Sequence, residues 1–445
     1  MQINEKKLEN ATIELTIEIP GTKVELEYKS VFDKIAQNAK IDGFRKGKAP
    51  LKLVEGKYKN QAENDVLQNL LRSTYIEAIN EKQFTPIGTP VFDYKEIVRG
   101  ESFTFTVKFE VPPTVEMGEY KGLDADERTC NLTDKDVEDE IQALRERNAR
   151  VSKKEDDAAV QNGDLVKIQI KRIDNITPEE AEKTEFKEYT VVVGKSKDPY
   201  ALDKHIGGMK ANEIREVQVD YPGDYDFKEI AGQKVTYQVK VTEISLMDLP
   251  ALDDEFAKDL GSYDSLEALR TGIRDNLKGY IENLSKREVM EQLITKITEN
   301  SRFDIPETMI NREMEMIFRR LQERTGYHAK DINDFASVIG IDPNELYNKL
   351  KEESEKNIKS LLVRTEITKK ENLTFSEERY KQVVESLASR NGKTPEEMEA
   401  YIQENRMREN IESELIIEAA DEYIYKNANI TKKAPQTLEE FTRSE

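Results

Sequence analysis

Three changes of hydrophobic rhythm predict a multidomain α+β protein: an α+β unit, then a small antiparallel β unit, then an all-α region. Strict alternation at 11–19 and again at 102–111 brackets two stretches of helical spacing. Alternation then dominates from about 151 to 246, and beyond Pro250 the apolar residues step by three or four. The 445 residues suit about three domains at a soft prior of ~150 residues each. With 37% hydrophobic against 35% charged residues and no tryptophan, little apolar material is left for a single compact core, so an elongated shape is expected.

The first unit opens with Ala11, Ile13, Leu15, Ile17 and Ile19 on one face and Thr12, Glu14, Thr16 and Glu18 on the other, a half-buried strand ended by Pro20-Gly21. Val24, Leu26, Val31, Ile35 and Ala39 then predict a helix over 23–39. A second helix over 60–82 carries Val66, Leu67, Leu70, Leu71, Ile76 and Ile79, and Phe103, Phe105, Val107, Phe109 and Val111 form another strand before Pro112-Pro113. Residues 114–150 read as a linker whose second half is a charged helix. In the β unit Val166, Ile168 and Ile170 alternate, as do Val235, Tyr237, Val239 and Val241, with a turn at Tyr221-Pro222-Gly223-Asp224. Helices are then expected from Leu266 to Leu284, after Pro306, from Asp342 to about 370, near 375–390 and over 394–427.

Composition excludes several functions. A net charge of −21 argues against binding nucleic acid with the whole surface, so any such contact must be a local basic patch. The lone Cys130 cannot form an intramolecular disulfide, and two histidines, His205 and His328, make a His-rich metal site an unpromising expectation. No cofactor or metal is expected, and the absence of a Gly-Lys-Ser/Thr phosphate loop points to action without ATP. Neither a signal-peptide core nor a run of ~18 apolar residues is present, so a soluble, cytoplasmic protein with no membrane partner is expected.

One local patch breaks the acidic background. Gly43-Phe44-Arg45-Lys46-Gly47-Lys48-Ala49-Pro50 presents an aromatic and three cations on a turn shaped by two glycines and a proline. Lys52, Lys57 and Lys59 follow, against only Asp42 and Glu55. Cations neutralise phosphates, arginine bonds them in a planar fork, and phenylalanine stacks or wedges. This pattern, Gly-Phe-Arg-x-Gly-x-x-Pro between two helices of an N-terminal α+β domain, resembles the ribosome-binding signature of the trigger factor family at Gly43, Phe44, Arg45, Gly47 and Pro50.

The resemblance also covers domain order. It implies a ribosome-binding domain at 1–113, a linker at 114–150, an FKBP-like prolyl-isomerase domain at 151–246 and a helical chaperone domain at 247–445, entered through Leu249-Pro250-Ala251-Leu252-Asp253-Asp254-Glu255-Phe256. It implies an ATP-independent bacterial chaperone. Phe44, Arg45 and Lys46 would meet a protein of the large ribosomal subunit and rRNA beside the exit tunnel, and the body would shield nascent and unfolded polypeptides. Some members of the family self-associate, which leaves a homodimer off the ribosome open. Met309, Met314 and Met316, with Ile310, Ile317 and Phe318, could offer a soft apolar surface or form ordinary helix core.

The middle domain departs from its pattern. Where the family has a stretch similar to Val/Ile-Pro-Gly-Phe-Glu, this chain reads Pro199-Tyr200-Ala201-Leu202-Asp203, so Leu202 replaces the pocket aromatic. An early Phe-Asp-Gly element is missing, and a charged stretch around Ile176–Lys183 stands instead. Leu202, Ile206, Tyr225 and Tyr237 are the remaining candidates for a pocket. Weak or absent isomerase activity is therefore expected. Isomerisation as the main activity is the alternative reading.

Overall fold

The computed structural model describes residues 1–155, 157–174, 184–261 and 263–443, and the chain divides into two compact units: 1–127 with 286–433, and 128–285 with the C-terminal segment from 434.

The first unit begins with a four-stranded antiparallel sheet of β1 (Gln2–Lys7), β2 (Thr12–Ile19), β3 (Ile87–Tyr94) and β4 (Phe103–Glu110), in the order β1-β2-β4-β3. The alternation predicted for β2 and β4 sets their register, which pairs Ile13 with Phe109, Leu15 with Val107, Ile17 with Phe105 and Ile19 with Phe103. Strands β1 and β3 lack that alternation and went unpredicted.

Helices α1 (Gly21–Asn38) and α2 (Leu51–Lys82) cover the apolar face. Val24, Tyr28, Val31 and Phe32 are the residues α1 buries, while Leu26 faces out, so two aromatics take the place assigned to it. Ile76 likewise lies exposed on α2. Helix α2 starts nine residues earlier than expected, directly after Pro50, and is interrupted at Tyr58 (φ −112°, ψ 21°). Each fully buried aliphatic side chain here contributes about 1.5–3 kcal/mol.

The stretch read as a linker is tied into the first unit at its start. Strand β5 (Thr114–Glu116) pairs with β12 (Arg302–Asp304), and β6 (Asp124–Glu127) runs parallel to β13 (Asn429–Lys432). The helical body is thus stitched by two short strand pairs. Between them sits a polar latch: Glu371 accepts from the hydroxyls of Tyr120 (2.8 Å) and Tyr423 (2.7 Å) and from Lys121 (2.9 Å). The Asp304 carboxylate accepts from the Ala11 N–H, and Glu110 caps the helix Glu307–Thr325 through the N–H groups of Glu307 and Thr308.

Further along, helices Glu307–Thr325, Ile332–Ile339 and Pro343–Glu371 pack together around Ile317, Phe335, Leu346 and Leu350. The single helix expected over 394–427 is two, Pro395–Glu404 and Arg408–Lys426, because Arg406 turns left-handed (φ 54°).

In the second unit, β7 (Arg150–Lys153), β8 (Leu165–Arg172), β9 (Lys187–Val192), β10 (Ile214–Asp220) and β11 (Lys234–Asp248) form an antiparallel sheet ordered β10-β11-β8-β9, with β7 on the far end of β11. A register shift between Val241 and Glu243 lets the long β11 serve both β8 and β7. Helix α3 (Asp134–Arg147), started by a Thr133–Asp136 capping box, packs Val137 and Ile141 on Phe256, Leu269 and Ile273. The expected charged stretch at 176–183 lies outside the described residues. Among the described residues no helix is long and apolar enough to cross a membrane.

Candidate functional site

Helix α1 stops at Asn38 because Ala39 is extended (ψ 135°), and the chain turns back to Pro50 through the basic loop. Lys40 anchors its start: the Lys40 carbonyl accepts from the Lys57 ammonium (3.1 Å) and the Tyr58 hydroxyl (3.3 Å), both near the interruption of α2. Two tight turns follow, in which Phe44 N–H donates to the Ile41 carbonyl (3.0 Å) and Lys48 N–H to that of Arg45 (2.9 Å).

Gly43 (φ 85°) and Gly47 (φ 78°) lie in the left-handed region that these turns require. Gly43 stands in open space, whereas a Cβ on Gly47 would come within 3.1 Å of the Gln37 carbonyl oxygen. Pro50 (φ −58°) then starts α2, its carbonyl receiving the N–H groups of Leu53 and Val54.

The loop points its side chains outward. Phe44 is 44% exposed, and Arg45, Lys46 and Lys48 are exposed. Among the described residues no carboxylate lies within ion-pair distance of Arg45, Lys46, Lys48 or Lys52. Glu55, which could neutralise them, is engaged at 3.0 Å by Arg99. The same guanidinium forks onto Glu25 (2.9 Å twice) and lies over the rings of Tyr28 and Phe32. That hydrogen bonding holds the Glu25 carboxyl below its usual range. Leu51 and Leu53, which the sequence reading did not single out, are also exposed, so the cationic tip carries three apolar side chains. Their only signal was their place in the first turn of a helix whose inward residue is Val54.

In the sheet of the second unit the four pocket candidates separate. Ile206 is fully buried with Met209, as core. Leu202 opens a short 3-10 helix, Leu202–His205, and packs half-buried on the same core. Tyr225 and Tyr237 are joined by Tyr221, whose ring lies 4.6 Å from that of Tyr225 and whose hydroxyl reaches that of Tyr237 at 3.4 Å. Tyr200 and Phe227 complete an aromatic cluster that the sequence reading missed. The spacing Tyr221-Pro222-Gly223-Asp224-Tyr225 was its visible trace, read only as a turn. The Tyr225 hydroxyl donates to Asp198 Oδ2 at 2.6 Å, which pushes its pKa up to about 12. Burial raises that of Tyr221.

Of the helical residues considered as a soft surface, Ile310 and Ile317 are buried, Met309, Met314 and Phe318 are half-buried in packed clusters, and Met316 is exposed. Among the described residues no group of three or more His, Cys, Asp or Glu side chains is placed to hold a metal ion.

An outward cationic loop on an α+β domain, an antiparallel sheet domain and a helical body define the modular class of protein to which comparison can be made. The family models for the bacterial trigger factor protein match residues 1–144, and for its C-terminus residues 265–426. The trigger factor of Halothermothrix orenii is 31% identical over 404 residues, covering 91% of this chain and 94% of that one. Those of Acetivibrio thermocellus (32% identical, 97% and 100% covered) and Geobacillus sp. (34%, 87% and 90%) are similar in the same way. A solved structure of the trigger factor chaperone is 21% identical, with a TM-score of 0.47 over 96% of this chain. The chain belongs to the bacterial trigger factor family.

Proposed function

We propose that this protein is an ATP-independent chaperone that docks on the large ribosomal subunit beside the exit tunnel and shields emerging polypeptides. The observation that carries this is the outward loop: a half-exposed phenylalanine and four cations with no carboxylate partner, on a chain of net charge −21. Phe44, Arg45 and Lys46 supply the contacts with ribosomal protein and rRNA, while Gly43, Gly47 and Pro50 give the loop its shape. Leu51 and Leu53 extend the apolar part of the contact.

In this reading residues 1–113 dock, 114–150 connect, 151–246 form the FKBP-like domain and 247–445 bind clients, in the cytoplasm. Scattered exposed apolar groups such as Met316, Val338, Ile339 and Leu361 suit weak binding of many sequences. Isomerisation as the main activity is less favoured, since Leu202 stands where an aromatic is needed and the Tyr225 hydroxyl is already bound.

Co-sedimentation with ribosomes tests the proposal. The triple variant Phe44→Ala/Arg45→Ala/Lys46→Ala keeps its fold, because none of the three side chains is buried, and exposed substitutions cost within about 0.5 kcal/mol. It is expected to lose about 100-fold or more in affinity, from one stacked or wedged ring and two charge-assisted contacts. Equal pelleting of variant and wild type would remove the docking claim.

A further inference from the structure

The aromatic cluster of the second unit is arranged as a site filled by its own chain. Tyr221, buried, and Tyr225, half-buried, form a two-ring floor at the end of β10, and Phe227 extends it into solvent with its ring 5.8 Å from that of Tyr225. Tyr200 comes from a different segment, the loop 194–201. Its ring stands across this floor, 5.8 Å from Tyr221 and 5.7 Å from Tyr225, nearly perpendicular to the latter at 83°.

A ring standing edge-on over aromatic faces places its partly positive C–H edge on the negative π surface. A saturated ring from a peptide would make the same contact. The floor also holds one directed polar group, the Tyr225 hydroxyl, and an apolar surface with a single donor suits a ring that has a carbonyl acceptor beside it. Proline preceded by its tertiary amide has both.

That donor is occupied in cis. Asp198 Oδ2 accepts the Tyr225 hydroxyl at 2.6 Å, while Asp198 Oδ1 accepts the N–H of Tyr200 itself at 2.9 Å. One carboxylate therefore holds the capping residue and the donor together. The loop is held from outside the sheet as well. Lys195 pairs with Glu146 of α3 at 2.6 Å, and Lys197 with Glu439 of the C-terminal helix Leu438–Thr442 at 3.2 Å.

We propose that Tyr200 and Asp198 form an intramolecular cap over a latent site for an Xaa-Pro segment, and that displacing the cap exposes the Tyr221–Tyr225 floor and frees the Tyr225 hydroxyl. The cap accounts for a sheet domain that keeps aromatic floor residues while its connecting loop has lost the expected wall. The proposal concerns this domain alone and does not depend on ribosome docking.

The test uses the full chain and a blocked, uncharged tetrapeptide containing one alanine–proline bond, with cis–trans exchange followed by NMR exchange spectroscopy. Tyr200→Ala is expected to accelerate exchange about tenfold over wild type, the gain worth one regained hydrogen bond. Asp198→Ala should give a smaller gain, because the ring still covers the floor. Tyr200→Ala/Tyr225→Phe should return to the wild-type rate, as the donor is gone. A wild-type protein already as fast as Tyr200→Ala, or a folded Tyr200→Ala no faster than wild type, overturns the proposal. Should Tyr200→Ala lose the sheet domain's dispersed amide spectrum, Asp198→Ala decides, and an unchanged rate there overturns it equally.

Discussion

Gly47 separates the shape of the docking loop from its chemistry. A Gly47→Ala variant keeps Phe44, Arg45, Lys46 and Lys48, yet φ 78° forces an L-residue into the left-handed region, at about 1–2 kcal/mol. The new methyl also arrives 3.1 Å from the Gln37 carbonyl oxygen, and that backbone belongs to the last turn of α1, so it yields poorly. Gly43→Ala carries the same φ cost at 85° but enters open space. The docking-competent loop is then a minority conformer, and affinity falls by its population, about 5-fold for Gly43→Ala and about 30-fold or more for Gly47→Ala. A co-sedimentation titration with ribosomes over a series of salt concentrations measures this. Both glycine variants should keep the wild-type slope of log affinity against log salt, since no charge is lost. Removing Arg45 or Lys46 should lower that slope by roughly 0.7–0.9 for each phosphate contact. Wild-type affinity for Gly47→Ala, or a worse loss for Gly43→Ala, would refute the argument from loop geometry.

Two further predictions concern the scaffold of the first unit. Hydrogen bonds from Lys121, Tyr423 and Tyr120 hold the Glu371 carboxyl at about 2, well below its ordinary value. A depressed carboxyl pKa stabilises the fold fully above its unfolded value of roughly 4.3, and that contribution is lost as pH falls toward 2. The melting-temperature gap between wild type and Glu371→Gln should therefore be largest near neutrality and close over that acid window; a gap independent of pH contradicts the latch. Arg99→Met removes the bridge to Glu25 and Glu55 and the cation over Tyr28 and Phe32, and should cost about 1 kcal/mol in urea denaturation. It should also weaken ribosome binding at low salt, because Glu55 is then free to oppose the loop's cations, and this second loss should vanish at high salt.

The legible parts of the sequence were those where a single periodicity decides burial. Strand β2 and strand β4 bury every second residue, so alternation located both and set which side faces the helices. The motif 43–50 was equally plain, because two glycines and a proline constrain backbone shape without tertiary help. What the sequence concealed was long-range. Thr114–Glu116 and Asp124–Glu127 have too few residues for a rhythm, and they are strands only because Arg302–Asp304 and Asn429–Lys432 come back to them. The aromatic cluster was hidden for the same reason. Tyr200 and Tyr221 lie 21 positions apart, and nothing in their local sequence says that their rings meet. Lone tyrosines read as sheet packing, and only the fold shows that a loop residue and a turn residue share one carboxylate.

The acidity of the chain gains a role once docking is confined to the tip. If affinity for rRNA came from diffuse positive charge, the protein would bind the phosphate surface in many orientations, and few would face the exit tunnel. With a net charge of −21, every orientation other than tip-first sets like charges against each other. The loop then contributes attraction only through the few cations that no carboxylate neutralises. Arg99 belongs to this arrangement although it touches no part of the loop, since by holding Glu55 and Glu25 it withdraws the nearest opposing charge. Weak and orientation-selective docking is the expected result, and it suits a chaperone that must leave the ribosome with no nucleotide to drive release. Raising the body's charge by neutralising exposed Glu residues far from the loop, such as Glu355 and Glu366, should therefore strengthen total RNA binding. It should also make that binding less dependent on Phe44→Ala. Unchanged dependence on Phe44 in such a variant would show that the acidic surface plays no part in orienting the molecule.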